Sequence, residues 1–303
     1  MKKITAVLAS VLISAATLSA MSASAYEDDG YSPTLYFKAQ ESEDFIILNS
    51  GKVYYNKTAA KNDESTLNVN TYVRDDKKLI GGLIARWQTD PAIKLTNLKQ
   101  PETLPYYVSE PYYKISLTGN KDKNFLNVYY PQITMTEQNV KDPNYHFYFD
   151  VTGENTDDYP LASFDALVTK DTPTGEYSVD FIYDNLGGTQ MLYKPTADDR
   201  KLFYPTEETA PGLKIGVTDR LLGDIDNSGN VDGSDATLCL KAFGKIVNGQ
   251  SSGLTPEQEI CADVDGNGSI DGSDATLILK YFSYQLSFGD TDFNELIKSN
   301  LNK

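Results

Sequence analysis

Residues 263–282 read DVDGNGSIDGSDATLILKYF, and residues 224–243 read DIDNSGNVDGSDATLCLKAF. The two stretches are offset by 39 residues, and 13 of their 20 positions are identical. A match of this length at a fixed offset indicates one supersecondary unit that occurs twice. Each copy starts with an acidic loop and continues into an apolar stretch, so the sequence predicts two loop-helix repeats.

The oxygen-bearing residues of both loops follow the spacing of a calcium-binding loop. Ca²⁺ prefers six to eight oxygen ligands, which an EF-hand loop supplies from positions 1, 3, 5, 7, 9 and 12. Glycine at position 6 permits the sharp turn. The candidate ligands are Asp224, Asp226, Ser228, Asn230, Asp232 and Asp235 in the first loop, and Asp263, Asp265, Asn267, Ser269, Asp271 and Asp274 in the second. We therefore predict two Ca²⁺ ions, the first held no more tightly than the second.

The doubled loop-helix arrangement resembles the type I dockerin module of cellulosomes, which belong to anaerobic, fibre-degrading bacteria. The resemblance covers about residues 222–290 and includes the segment TPEQEI at 255–260, which fits the module's middle helix. In this segment Thr255 is expected to cap a helix that starts at Pro256, with Gln258 completing the capping box.

The resemblance implies a cohesin module of a scaffoldin as the partner of residues 220–290. The positions that match the family's binding face are Gly233, Ser234, Leu240, Lys241, Gly272, Ser273, Leu279 and Lys280. Because the halves are near copies, either could dock after a half-turn. Two structural alternatives stay open at this point: the serines could cap their helices, and the leucines could lie in the module's core.

The first 25 residues have the pattern of a secretory signal peptide. Lys2 and Lys3 precede an apolar run, and Ala23-Ser24-Ala25 fits a cleavage site. No later stretch approaches the roughly 20 apolar residues of a membrane span. Removing the signal leaves 25 basic and 43 acidic residues, a formal charge of −18, which argues against a nucleic-acid partner. We expect a secreted, extracellular protein, associated with a cellulosome or the cell surface.

Alternating apolar and polar residues dominate the chain from about 36 to 219. In LNVNTYV (67–73), Leu67, Val69, Thr71 and Val73 share one face, and in LIARWQ (83–88) the core face carries Trp87. Nine or ten such runs predict antiparallel strands of an all-β sandwich or jelly roll, followed by a small α-helical calcium-binding domain. We divide the chain into a signal peptide (1–25), a sandwich (26–219), a dockerin domain (220–290) and a tail or short helix (291–303). Since no flexible linker separates the sandwich from the dockerin, we expect the two to lie close together.

The function of the sandwich is open among three classes. The turn QTDPA (88–92) and the hairpin PTGEY (173–177) resemble features of a cohesin, which would bind a dockerin and make the chain an adaptor. Tyr-Tyr doublets at 54–55, 106–107, 112–113 and 129–130 could instead bind a polysaccharide. A glycoside hydrolase needs a pair of carboxylates that the sequence does not single out, and His146 is the only histidine. We therefore expect a non-catalytic protein.

The two cysteines, Cys239 and Cys261, leave a second question open. Export permits a disulfide between them. Both also lie in apolar, helix-like surroundings, where two buried thiols are equally expected.

Overall fold

The computed structural model describes residues 30–40, 42–75, 80–99, 114–117, 124–130, 158–183, 188–193 and 201–289. Within these ranges an all-β region precedes three helices. The strands are β1 (Thr34–Ala39), β2 (Phe45–Ile47), β3 (Val53–Asn56), β4 (Glu64–Arg74), β5 (Ile80–Thr89), β6 (Lys94–Lys99), β7 (Lys114–Leu117), β8 (Asn124–Tyr130), β9 (Asp158–Thr169), β10 (Gly175–Phe181), β11 (Gln190–Tyr193), β12 (Lys201–Phe203) and β13 (Leu213–Thr218). The helices are α1 (Gly233–Val247), α2 (Pro256–Ala262) and α3 (Gly272–Phe288).

The strands form two sheets that share one core. One sheet has the order β1-β4-β9-β6, and the other has the order β12-β11-β5-β10-β13-β3-β2, with β8 pairing with β5 and β7. The predicted β-sandwich is therefore confirmed. The prediction of antiparallel strands needs one correction, because β13 pairs with β3 in parallel. The last strand, β13, thus lies beside an early strand, β3, in the same sheet.

The sandwich core follows from the alternation along the strands. Leu67, Val69, Thr71 and Val73 of β4 are all buried, while the residues between them are partly exposed. The ring of Trp87 is fully buried and meets Phe37 of the other sheet at a centroid distance of 6.0 Å. Burying one large apolar side chain stabilises a fold by about 1.5–3 kcal/mol. The predicted core face of these strands is confirmed.

Two further expectations about the strands differ from the structure. The described residues contain thirteen strands rather than nine or ten, because several are only three or four residues long. Tyr183, whose spacing places it on the core face with Phe181, lies beyond the end of β10 and is 39% exposed. Its hydroxyl donates a hydrogen bond to the carbonyl of Ala210, which holds the ring at the edge of the sandwich.

The doublet Tyr54-Tyr55 is buried on both sides of its sheet. Successive residues of a strand point to opposite faces, so one ring is expected inside and the other in solvent. Tyr55 belongs to the sandwich core, but Tyr54, which is 1% exposed, belongs to a second apolar cluster with Leu222 and Ile260. The C-terminal helical region therefore covers the part of the outer face around Tyr54, and the two regions lie in contact.

Several sequence predictions lie outside the described residues. They concern the signal peptide (1–25), the tail (291–303), His146 with its strand-like run, and the doublets at 106–107 and 112–113. Among the helices of the described ranges, none is long and apolar enough to cross a bilayer.

Candidate metal centres and the helix surface

The first acidic loop brings three carboxylates together. One oxygen from each of Asp224, Asp226 and Asp235 lies within 4.8 Å of the other two. Asp224 and Asp235 are 1% and 0% exposed, whereas Asp226 is exposed. Positions 1, 3 and 12 of the predicted ligand set therefore converge.

The second loop repeats this arrangement. One oxygen from each of Asp263, Asp265 and Asp274 lies within 4.8 Å of the other two. Asp263 and Asp274 are 4% and 0% exposed. The same three loop positions converge, as the sequence repeat requires.

Backbone hydrogen bonds bend each loop around its carboxylates. In the first loop Asp235 Oδ1 accepts from the backbone N–H of Ile225 at 2.8 Å, and Asp224 Oδ2 accepts from that of Gly229 at 2.9 Å. Gly229 has a φ of 86° and its counterpart Gly268 has 85°, a conformation that favours glycine. The predicted turn at position 6 is thus present in both repeats.

The aspartates at loop position 9 cap the N-termini of the helices that follow. Asp232 Oδ1 accepts from the N–H of Ser234 at 2.7 Å, and Asp271 Oδ1 accepts from that of Ser273 at 2.6 Å. These aspartates are the N-caps of α1 and α3. The alternative that the serines cap the helices is therefore wrong. Asp232 and Asp271 also stay outside the two carboxylate clusters.

The residues at positions 5 and 7 bond within their own loops. Ser228 Oγ donates to the carbonyl of Asn230 at 3.2 Å in the first loop. In the second loop, Asn267 Nδ2 donates to Asp265 Oδ2 at 3.1 Å and Asn267 Oδ1 accepts from the N–H of Ser269 at 2.8 Å. Both sets of polar groups line the loop and remain candidates for further ligands.

Burial makes the carboxylate clusters electrostatically unfavourable without a cation. Burial raises the pKa of Asp224, Asp235 and Asp265 above the usual range, and it raises that of Asp274 to about 7. A buried carboxylate that keeps its charge needs a cation or hydrogen bonds to offset its lost hydration. The donors are hard oxygens with no histidine or thiol among them, so the sites are compatible with Ca²⁺.

The two helices that follow the loops expose a matching set of side chains. Leu240 and Leu279 are 48% and 43% exposed, and Lys241 and Lys280 are also exposed. The alternative that the leucines are buried in the core is therefore wrong. Near the end of α3, Tyr284 and Phe288 are also exposed, and their ring centroids lie 4.7 Å apart. Leu286 is exposed as well, but it lies two residues from each of them and therefore points away from their side of the helix. A spacing of four residues, which places Tyr284 and Phe288 on one side of the helix, was the available signal.

A comparison with protein-family models decides the nature of this region. The model named "Dockerin type I domain" matches residues 222–283. Residues 222–283 form a type I dockerin domain. The middle helix of the dockerin, α2, has Thr255 as N-cap and a capping box with Gln258, as predicted.

Solved structures similar to the chain are cohesin modules. One is the seventh ScaB type I cohesin of Pseudobacteroides cellulosolvens, with 8% identity, a TM-score of 0.36 and coverage of 61% of this chain and 92% of that chain. Another is a type II cohesin domain from the cellulosome of Acetivibrio cellulolyticus, with 10% identity, a TM-score of 0.38 and coverage of 61% and 95%. A third belongs to a type I cohesin–dockerin complex of Clostridium thermocellum, with 12% identity, a TM-score of 0.34 and coverage of 61% and 99%. A comparison with curated proteins found no match.

The dockerin packs against the sandwich through polar as well as apolar contacts. Arg220 Nε lies 3.2 Å from Glu257 Oε2, and Thr218 Oγ1 donates to Glu257 Oε1 at 3.0 Å. The hydroxyl of Tyr54 donates to the carbonyl of Arg220. A β-carbon added at Gly216 of β13 would come within 2.8 Å of Ile260 of α2. The sheet and α2 therefore approach so closely that β13 needs a glycine there.

The two cysteines are free thiols inside the dockerin. Cys239 and Cys261 are both buried and unbonded to each other. Burial raises the pKa of Cys239 to about 12 and that of Cys261 to about 11. The question left open by the sequence is thus answered by two buried, protonated thiols rather than a bridge.

Proposed function

We propose that this chain is a secreted, non-catalytic cellulosome component that docks onto a scaffoldin cohesin in a calcium-dependent way. The observation that carries the proposal is the position of each carboxylate cluster. Asp235 and Asp274 lie in the first turn of α1 and α3, and those helices expose the side chains proposed to contact the partner. Metal binding and helix presentation are therefore joined in one structural unit.

The role of calcium in this proposal is structural. Asp224, Asp226 and Asp235 would hold one ion, and the corresponding aspartates of the second loop would hold the other, with the remaining predicted ligands completing each set. Binding would offset the repulsion among buried carboxylates, and free energy gained at such sites stabilises the fold. We expect the ordered loops to fix the start of each helix and so the spacing of the two halves of the docking face.

The proposed docking face comprises two equivalent halves. The first consists of Gly233, Ser234, Leu240 and Lys241, and the second of Gly272, Ser273, Leu279 and Lys280. Their serine, leucine and lysine side chains are exposed in both helices, which supports docking by either half. Exposed leucines rimmed by serine and lysine suit an interface with an apolar centre and a polar edge.

A binding assay with the full chain tests this proposal. Immobilised cohesins of several classes are exposed to the protein in calcium and in EGTA, and biolayer interferometry follows association. We expect at least one cohesin to bind in calcium and to release the protein in EGTA. Binding of the same strength in both buffers would contradict the calcium-dependent mechanism, and no binding to any cohesin would contradict the proposed partner.

For the sandwich we propose a cohesin-like adaptor role, in which it binds the dockerin of another protein. The resemblance of QTDPA and PTGEY supports this role, and both segments form ordered turns. Ala92 N–H donates to Asp90 Oδ1 at 2.9 Å in the first, and Tyr177 OH donates to the carbonyl of Pro173 at 2.7 Å in the second. An adaptor would present one module to a scaffold and receive another.

One surface favours carbohydrate as a second candidate ligand of the sandwich. On the outer face of the first sheet, the rings of Tyr36 and Tyr72 stack at 5.3 Å. On the same sheet, Asp165 accepts hydrogen bonds from the side-chain amides of Asn68 at 3.0 Å and Asn97 at 2.6 Å. Aromatic faces can stack on sugar rings, and amides and carboxylates elsewhere on the same sheet can bond sugar hydroxyl groups.

The two roles of the sandwich are separated by a retention assay. The full chain is mixed with a panel of dockerins and, separately, with insoluble polysaccharides. Capture of a dockerin supports the adaptor role, whereas retention on polysaccharide alone would replace it with carbohydrate binding. Release of soluble sugar would contradict a non-catalytic function and point to a glycoside hydrolase.

A further inference from the structure

The two calcium loops differ in one neighbouring charge. Lys52 Nζ lies 2.8 Å from Oδ2 of Asp263, the residue at position 1 of the second loop. The side chain of Lys52 is 8% exposed and its Nζ also lies 2.8 Å from Glu176 Oε2. In the described part of the chain, Asp224, at position 1 of the first loop, has no salt bridge to a lysine or arginine.

The turn that carries Lys52 also packs directly on the second loop. A β-carbon added at Gly266 would lie 2.7 Å from Leu48 Cδ1 and 2.5 Å from Ser50 Oγ. The first repeat has an exposed asparagine, Asn227, at the same loop position. The repeat therefore departs from identity at a position where the second copy is buried against this turn and the first copy is exposed.

This asymmetry has an electrostatic consequence when calcium is removed. Three carboxylates held within 4.8 Å repel one another, and burial strengthens the repulsion by lowering the local dielectric constant. A buried ion pair is costly to break because it leaves one charge uncompensated. Lys52 places a fixed positive charge on the second cluster, and the first cluster has no corresponding cation among the described residues.

We propose that Lys52 is a positioning residue of the second calcium loop, a counter-ion from the sandwich that keeps Asp263 and its loop folded when calcium is absent. The first loop, to which the described residues supply no such counter-ion, opens on calcium removal. The inference rests on the proposed function only in treating the two loops as calcium sites. It adds an intramolecular contact that makes the two repeats unequal.

Hydrogen–deuterium exchange of the full chain, followed by mass spectrometry, tests the proposal. Exchange is measured in calcium and in EGTA for peptides that cover residues 224–235 and residues 263–274. We expect both loops to be protected in calcium. In EGTA we expect the first loop to exchange at least about tenfold faster than the second, which corresponds to about 1.4 kcal/mol. Equal loss of protection in both loops would overturn the proposal.

Three variants separate the charge of Lys52 from the shielding by its turn. Lys52→Met keeps a long, unbranched side chain but removes the charge, so the second loop should lose its protection in EGTA. Lys52→Arg should retain it. Lys57→Met is the matched control, because Lys57 is 12% exposed and pairs at 3.1 Å with Asp219, which is not one of the loop aspartates. If Lys52→Met leaves the second loop protected in EGTA, the proposal is wrong.

Two further readouts keep the outcomes distinct. Exchange in peptides of β4 reports whether the Lys52→Met variant still folds in calcium. If these peptides lose protection, the comparison of the two wild-type loops and the Lys52→Arg variant decide whether the charge of Lys52 protects the second loop. If calcium protects neither loop of the wild-type chain, the proposed function fails. The difference between the loops in EGTA then still supports or overturns the role of Lys52.

Discussion

Gly266→Asn is expected to destabilise the full chain by forcing the second loop away from the sandwich. Asparagine tolerates the left-handed backbone, and Asn227 adopts a φ of 63° at the same position of the first loop. The backbone conformation is therefore acceptable, and the penalty is steric. The new β-carbon would approach Leu48 and Ser50 at 2.7 and 2.5 Å, and Lys52 Cβ at 3.1 Å.

The magnitude follows from the cost of overpacking. Extra atoms forced into a well-packed contact cost about 1–3 kcal/mol. For a domain of 150–250 residues, each kcal/mol shifts the melting temperature by roughly 2–4 °C. Differential scanning calorimetry in saturating calcium measures the shift. The matched control is Asn227→Gly, which removes an exposed side chain from the equivalent position and should change stability by less than about 0.5 kcal/mol.

An unchanged melting temperature for Gly266→Asn would refute the close contact between the turn and the loop. A comparable loss in Asn227→Gly would also refute the reasoning, because it would trace the effect to the loop itself. The expected result is a loss in the first variant alone.

Three further predictions concern the metal sites, the interface and the thiols. Replacing both Asp235 and Asp274 with alanine should abolish cohesin binding and any calcium-induced rise in melting temperature, although neither residue is exposed; binding retained at the wild-type level would count against calcium dependence. Tyr54→Phe should cost about 1 kcal/mol by removing the hydrogen bond to the Arg220 carbonyl. Burial raises the pKa of Tyr54 well above 10, so the stability that this group contributes is present below pH 10 and is lost as the pH rises further. Denaturant titrations between pH 9 and 11 should therefore show a smaller loss of unfolding free energy with pH in the variant than in the wild type. The same dependence on pH in both proteins would exclude Tyr54 as the source. Both cysteines should resist alkylation at pH 8 in the native protein and react only after denaturation without reductant, whereas no reaction in denaturant would reveal a disulfide.

Local patterns in the sequence were sufficient where neighbouring residues decide the structure. The period of two in β4 predicted which side chains are buried, because the faces of a strand alternate strictly. Thr255, Pro256 and Gln258 predicted the start of α2, because all the groups of a capping box lie within four residues. The twofold repeat placed the aspartates at positions 1, 3 and 12 among the candidate ligands, and these carboxylates converge in both loops.

The choice of helix cap was beyond the pattern alone. Aspartate and serine are both good N-caps, and Asp232 and Ser234 lie two residues apart at the start of α1. The extended backbone of Asp232, with φ −143° and ψ −167°, decided between them. Its side chain bonds the helix and is not part of the group of three converging carboxylates, and its predicted role as a calcium ligand at position 9 stays a prediction.

Contacts between distant parts of the chain did not follow from any local pattern. Lys52 and Asp263 are 211 residues apart, and nothing around Lys52 in the sequence distinguishes it from a solvent-exposed lysine. One ring of the Tyr54-Tyr55 doublet was expected in solvent, because period-two reasoning considers one sheet and does not include a second region that covers it. These residues make the interface, and only the three-dimensional arrangement identifies them.

The apolar cluster around Tyr54 also affects how the assembled protein would be oriented in space. A module on a flexible linker can adopt many orientations, whereas a module that shares a hydrophobic cluster with its neighbour moves with it as one rigid body. Docking by one half of the dockerin or the other would then aim the sandwich in one of two fixed directions, related by a half-turn. Whatever the sandwich carries would be delivered to two defined positions beside the scaffold rather than to a diffuse volume around it.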